Sequence, residues 1–302
     1  MGDSIEIADG GVFKRPGVMI VRPSLHEQTE EKTATFKRWT IMHFRDLLNL
    51  APASSDAKGI SRTMRYTNTA GELFYTIHAD DISIWKTPAY YAISRRLDLE
   101  NTRGVEEGEQ AVCPDFKKLG DEPMVWHLVN AEFGIFSEHP IPSAGQDGYQ
   151  SVASSLLSAK GSQPSAPACV LITLTYSCVE DEKEDDLQEP PRRLKEMQSE
   201  ILTHFSAGNT SLDGKIFSGI YRHIPSAQPD MHPAIEERAH GNGQWVVCVM
   251  IEEEVSEVRR MELKAGLEGR IDEKKRRGKK DGESRVDWEM RVGVWKGELF
   301  MG

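Results

Sequence analysis

The sequence predicts an α+β protein built from two βαββαβ repeats packed sheet-to-sheet as a pseudo-dimer. Three observations carry that expectation. Strand-like and helix-like segments alternate through residues 17–133. The same order of segments returns through residues 169–295. The stretch between them, Ser143 to Pro167, is rich in Ser, Ala, Gly, Gln and Pro, a linker composition. A four-stranded sheet with helices on one face leaves its other face uncovered, and two such sheets can bury those faces against each other.

In the first repeat, Gly17 to Arg22 is a short apolar run closed by Pro23, which reads as a strand. Phe36, Trp39, His43, Leu47 and Leu50 then recur at helical spacing over residues 30–50. Ala51-Pro52 ends that helix, because a residue before proline avoids the helical region. Gly59 to Tyr66 and Glu72 to His78 are strands joined by a tight turn at Asn68-Thr69-Ala70-Gly71. Asp80 and Asp81 are N-cap residues for a second helix reaching about Leu97. A polar loop leads to a fourth strand from Met124 to Phe133.

The second repeat begins with an apolar strand, Cys169 to Tyr176, and an acidic loop ending at Pro190-Pro191. Proline suits the first turn of a helix, and Leu194, Met197, Ile201 and Phe205 give that helix its apolar face. Strands follow at 215–223 and 244–251, then a charged helix from Val255 to about Ile271 and a last strand from Val286 to Trp295. The expected division is an N-terminal lobe at 12–142, a linker at 143–167, where Val152 to Leu157 has some helical character, and a C-terminal lobe at 168–302.

Composition narrows the function classes. A chain of 302 residues accommodates about two domains. Its formal net charge of −11 disfavours nucleic acid as a partner, since phosphate binding needs a basic face. No apolar run has the length of a membrane span, and the N-terminus lacks the apolar region of a signal peptide. Cys113, Cys169, Cys178 and Cys248 form no CxxC pair, so no zinc site is expected and the location is read as cytoplasmic. The basic run Lys274 to Lys280 reads as a solvated loop. Gly-rich phosphate loops, GxSxG and HExxH are absent from the sequence. The expected partner is a small-molecule substrate, with no cofactor, no nucleic acid and no membrane, and a homodimer is allowed.

The histidines and tyrosines are the candidate chemistry. Trp39 and His43 stand four residues apart, so they share one helix face. Histidine suits acid–base work because its ordinary pKa lies near neutrality. His78 shares a strand face with Phe74 and Thr76, and His127, read on the fourth strand, shares one with Val125 and Val129. Tyr66, Tyr75, Tyr90 and Tyr91 offer hydroxyls that can orient an enolate or pack as ordinary core residues. Arg62 and Arg65 have opposite parity, so at most one faces a pocket. His223, His232 and His240 lie in or beside an insertion, 224–243, and do not match metal-site spacing. Aligning the first helix of each repeat sets Trp39 beside Met197 and His43 beside Ile201, so the second repeat keeps the apolar spacing and loses the titratable group.

The stretch Trp39-x-x-x-His43-x-x-Asp46-Leu47-Leu48 resembles the helix-1 motif of fungal EthD-like proteins of the dimeric α+β barrel superfamily. The resemblance continues at Arg65-Tyr66, in the third strand with its aspartate, and at Thr87-Pro88-Ala89-Tyr90-Tyr91. It covers most of 17–136 and, more weakly, 168–298. Met42 stands where the family carries an acidic residue, and Thr40 where it carries a tyrosine. The resemblance implies ferredoxin-like repeats and a small-molecule pocket between a sheet and its helices. Related barrels include cyclases, decarboxylases, cofactor-free oxygenases acting on polyketide-like aromatics, and haem enzymes.

These readings combine into a functional expectation. A cofactor-independent cyclase, isomerase or decarboxylase would act on a hydrophobic, polyketide-like or other secondary-metabolite carbonyl compound. His43 would be the general acid–base, with His78, His127 or Tyr66 polarising the oxygen and Trp39 forming an aromatic wall. The pocket would lie in the N-terminal lobe, lined by Trp39, Phe74, Tyr75, Tyr90 and Tyr91. A non-catalytic binding or scaffold protein and a cofactor-free monooxygenase are the alternatives.

Overall fold

The computed structural model describes residues 15–52, 59–112, 124–139, 169–178, 189–206, 216–229, 244–251, 255–280 and 288–301. The linker at 143–167 and most of the 224–243 insertion lie outside them. In chain order the elements are β1 (Gly17–Leu25), α1 (Glu30–Leu48), β2 (Ile60–Thr67), β3 (Leu73–Ala79), α2 (Pro88–Ala92), α3 (Glu100–Arg103) and β4 (Val129–Glu138). The second half supplies β5 (Cys169–Cys178), α4 (Arg192–Ser206), β6 (Ile216–His223), β7 (Trp245–Ile251), α5 (Glu257–Lys280) and β8 (Trp288–Met301).

The fold is α+β with a closed eight-stranded barrel in the order β1-β3-β2-β8-β5-β7-β6-β4. Every neighbouring pair is antiparallel. Each half contributes four strands in the same relative order, β4-β1-β3-β2 and β8-β5-β7-β6. The expectation of two sheets packed sheet-to-sheet is thereby refined. The outer strands join, β2 to β8 and β4 to β6, so the two sheets form one continuous wall. Closure pairs the backbone groups that an open edge strand would leave to water or to another chain.

Strand alternation divides the core in two directions. Val18, Ile20, Met64, Tyr66, Phe74 and Phe136 pack inside the barrel with Leu171, Phe217, Tyr221, Met250 and Trp295 of the second half. The outer face of the first half packs under α1 and the segment 82–99. The outer face of the second half packs under α4 and α5.

Local sequence explains the element ends. The Thr29 side chain caps α1 by accepting from the Lys32 amide at 3.2 Å, and Glu30 and Glu31 oppose the helix dipole. The Asn68 side-chain oxygen accepts from the amides of Ala70 and Glu72, each at 2.9 Å, while Gly71 adopts φ +79°, closing the β2–β3 hairpin. The single helix expected from Asp80 to Leu97 is broken. Ile82–Lys86 is a 3₁₀ turn, and α2 starts at Pro88. Thr87 precedes that proline, is extended (φ −79°, ψ 148°), and caps α2 with its hydroxyl.

Two further expectations are corrected. The basic run 274–280 forms the last turns of α5 instead of a loop. Cations suit a helix C-terminus, and Lys274 reaches across to Glu200 (2.8 Å) and Glu196 (3.4 Å) of α4. The fourth strand starts at Val129, preceded by a 3₁₀ turn at Val125–His127. Among the described residues no helix is long and apolar enough to cross a membrane.

Candidate functional site

Helix α1 sets Trp39 and His43 one turn apart, and their rings stack with centroids 4.4 Å apart and planes 16° from parallel. The Trp39 indole N–H donates to the Arg96 carbonyl at 2.9 Å, tying α1 to the segment after α2. Arg95 covers the Tyr90 ring at 4.8 Å and donates to the Tyr90 carbonyl. Tyr75 approaches Phe44 edge-on at 5.2 Å. His43 is buried, and its Nδ1 has no hydrogen-bond partner among the described residues. Burial, seconded by the positive charge of Arg95, holds its pKa well below the ordinary histidine value, opposed by a hydrogen bond with the Ser94 backbone. The imidazole is therefore neutral. Asp46 of the same motif pairs with Arg103 at 2.6 Å, a link from α1 to α3.

The other face of β3 belongs to the barrel interior. There the His78 Nε2 and the Thr76 hydroxyl lie 3.1 Å apart, and the Tyr66 hydroxyl also bonds Thr76. Burial, with Arg62 second, pushes His78 down to about 3. Burial pushes Tyr66 well above its ordinary value.

The nine residues singled out from the sequence thus fall into three places. Trp39, His43, Tyr75 and Tyr90 share the outer helical layer. Tyr66, Phe74 and His78 face the barrel interior. Tyr91 and His127 are exposed, His127 in its 3₁₀ turn and not on a strand face. The sheet runs between the first two groups, because Phe74 and His78 alternate with Tyr75 and Ile77 along one strand.

A cleft of about 890 Å³ opens at one end of the barrel. The last residues of β1, the β2–β3 hairpin, the start of β4, part of β8 and one face of α5 enclose it. None of the nine residues lines it. Its charged side chains are Arg22, Arg65, Arg260, Lys264 and Arg291 against Glu72 and Glu132, a cationic excess in a chain of net charge −11. Leu25, Leu73, Val294 and Trp295 supply apolar wall. Gly293 in that wall permits the Trp295 Nε1 donation to the Thr173 hydroxyl at 3.0 Å; a Cβ there would come within 2.2 Å of that nitrogen.

The cleft arginines are not equivalent. Arg291 is held by Glu289, with Nε 2.9 Å from its carboxylate, which raises the Arg291 pKa. Arg22 lies 5.5 Å from the centroid of the Phe74 ring. Burial lowers its pKa, opposed by Glu132, with Arg291 lowering it further. Arg260 is only 9% exposed. The Nε atoms of Arg22 and Arg260 are buried with no hydrogen-bond partner among the described residues. Sequence reasoning missed both. Arg22 carried a legible signal: it keeps the inward parity of Val18 and Ile20, so a charge follows two core positions in phase. Arg260 is one basic residue in a highly charged helix and carried none.

Among the described residues no group of three or more His, Cys, Asp or Glu is placed to hold a metal ion.

No family model matches the chain, and no curated protein matches it. Among solved structures, a Fusobacterium nucleatum protein provisionally named a monooxygenase is similar over 95% of both chains, at 8% identity and a TM-score of 0.36. A mutant chlorite dismutase of Candidatus Nitrospira defluvii covers 94% of this chain and 92% of its own, at 10% identity and a TM-score of 0.35. An aldoxime dehydratase covers 95% of this chain and 85% of its own, at 10% identity and a TM-score of 0.24. At these identities and TM-scores none of them decides the chemistry of this chain.

Proposed function

We propose that this protein is a small-molecule enzyme whose substrate occupies the barrel-end cleft. The observation that carries the reading is the cleft itself. Its volume of about 890 Å³ falls in the range of ligand sites, and polar groups converge on it from both halves of the chain. Glu132 lines the cleft and interacts with the charges of Arg22 and Arg291, and its carboxylate is the general base of this reading. Arg22 then stabilises the oxyanion left on a carbonyl substrate. Enolisation, isomerisation and decarboxylation of a carbonyl compound all fit that pair.

The test is a thermal-shift screen of carbonyl metabolites against the full chain, followed by mass-spectrometric search for products. Ser24→Trp, at an exposed position on the cleft wall, should abolish the shift. Glu132→Gln should keep the shift and lose product. Binding that survives Ser24→Trp would overturn the site, and turnover that survives Glu132→Gln would remove Glu132 from the chemistry. Binding with no product from any hit would make the protein a carrier.

One observation favours a second reading, in which His43 is the acid–base group. Its Nδ1 is a buried, unshared position on a neutral imidazole walled by Trp39. In that case His43→Gln, and not Glu132→Gln, abolishes product formation, and Ser24→Trp leaves it intact. Oxygen uptake during turnover separates a monooxygenase from both readings.

A further inference from the structure

The geometry points to an organic anion as the molecule the barrel-end cleft takes, with the guanidinium of Arg260 as its main charged contact and Arg22 as a second. This rests on the reading that the cleft is the ligand site. Arg260 projects from α5 in the second half, and Arg22 stands at the end of β1 in the first, so the cleft draws a cation from each half.

Arg260 is about nine-tenths buried, lines the cleft, and has an Nε without a partner among the described residues. The Nε is itself closed to solvent, and a guanidinium this deeply buried is costly unless a counter-charge meets it. An oxyanion in the cleft supplies that counter-charge to the part of the side chain that lines it, and the planar fork of arginine matches carboxylate and phosphate alike. Arg22 repeats the pattern with its own unpartnered Nε. The surrounding charge agrees: five cationic side chains face two carboxylates, and a lined cleft focuses such a field although the whole chain is acidic. Leu25, Leu73, Val294 and Trp295 give the body of the ligand an apolar bed. The expected class is therefore an amphipathic acid, with an anionic head on the arginines and an apolar remainder along the wall.

Calorimetric titration of the full chain with three matched probes tests this: 4-phenylbutyrate, its neutral amide, and phenyl phosphate. One or both anions should bind, and the amide should bind at least tenfold more weakly. The stronger anion identifies the head group as carboxylate or phosphate. Arg260→Gln and Arg22→Gln should each weaken the anion by roughly 10- to 100-fold, the size expected for a charge-assisted hydrogen bond. Arg260→Lys should retain part of the affinity that Arg260→Gln loses, and Arg192→Gln, at an exposed position of α4 outside the cleft, should keep the parent affinity. Circular-dichroism melts of each variant separate lost binding from lost folding. Amide binding equal to that of the acid, still abolished by Ser24→Trp, overturns the anion class and leaves the cleft reading standing. Anion binding indifferent to Ser24→Trp and Arg260→Gln overturns both. Failure of both anions to bind the folded parent overturns the proposal.

Discussion

The two halves of the barrel place their strands in the same order and cover them in different ways. In the second half two long helices, α4 and α5, lay Leu194, Met197, Ile201, Leu263, Leu267 and Ile271 on the sheet, an aliphatic seal. In the first half only α1 is long, and the remaining cover includes the 3₁₀ turns at Ile82–Lys86 and Val125–His127, two short helices, the stretch to Val112 and Ala227 from the second half. Aromatic and polar groups fill that space: Trp39, His43, Trp85 and Tyr90, with Arg95 over Tyr90. A barrel wall accepts either cover because it asks of its outer layer only that apolar strand residues be kept from water. The irregular cover holds buried polar atoms without partners among the described residues, including His43 Nδ1 and Trp85 Nε1; in the second half Ile201 stands where α1 has His43, and the comparable atoms are Trp245 Nε1 on the sheet and Arg260 Nε on α5. The cleft belongs to neither half, since its walls come from both.

The contrast can be broken most sharply at Trp85, which is fully buried at the centre of the irregular cover and meets Tyr90 edge-on at 5.4 Å. Trp85→Ala should cost about 3–5 kcal/mol. Chemical denaturation should show it, and a loss below about 1 kcal/mol would mean the irregular cover is not a packed core. Next in size is an exchange at the equivalent helix positions. Ile201→His puts an imidazole into the aliphatic seal and should cost about 2–4 kcal/mol through lost apolar packing and a buried polar group. His43→Leu should cost less, at most about 1 kcal/mol, because it removes an Nδ1 without a partner among the described residues and loses one hydrogen bond with the Ser94 backbone. Equal losses in the two variants would erase the proposed difference.

Acid should weaken the first half selectively. His43 and His78 both have folded pKa values below their unfolded value of about 6.5, from burial first and then from Arg95 and Arg62 respectively. Between that value and the folded one, the unfolded chain binds more protons than the folded chain. Stability is therefore full above about pH 6.5 and falls as the pH drops below it, by at most about 1.4 kcal/mol per pH unit for each histidine. For His78 the fall continues down to about pH 3. His78→Asn should flatten the acid limb of a stability-versus-pH curve, and an unchanged slope would exclude His78 as its source. The smallest effect is expected between the helices of the second half. Lys274→Ala removes the ion pairs to Glu196 and Glu200 and should cost no more than about 1 kcal/mol, less at high salt. A larger loss would show that charge, and not the aliphatic seal, joins α4 to α5.

Periodicity made most of the elements legible. Phe36, Trp39, His43 and Leu47 announced α1, and Leu194, Met197 and Ile201 announced α4. Strand parity placed Phe74, Thr76 and His78 on one face. Each of these is a local property, written in spacings of two to four residues. Where the reading slipped, a local signal was outweighed. Pro88 starts a new helix inside the span for which Asp80 and Asp81 are N-cap residues, and favourable charge at a helix end carries α5 through a basic run of loop composition. His127 fell outside its strand because β4 takes its register from β1, Leu25 opposite Val129, and not from its own apolar pattern.

By itself, then, the sequence determined most of the strands and helices, the doubled order of elements, and the chemical contrast between His43 and Ile201. Barrel closure, the separation of His43 from His78 by the sheet between them, and the meeting of Arg22 with Arg260 in one cleft were decided only by tertiary structure. The physical reason is range. Spacing along the chain tells which face of its own element a side chain takes, but pairing of β4 with β6 joins residues more than 80 positions apart and pairing of β2 with β8 joins residues up to 238 apart. No pattern within a segment encodes that partner. The arginines of the cleft became neighbours only when those pairs closed the wall.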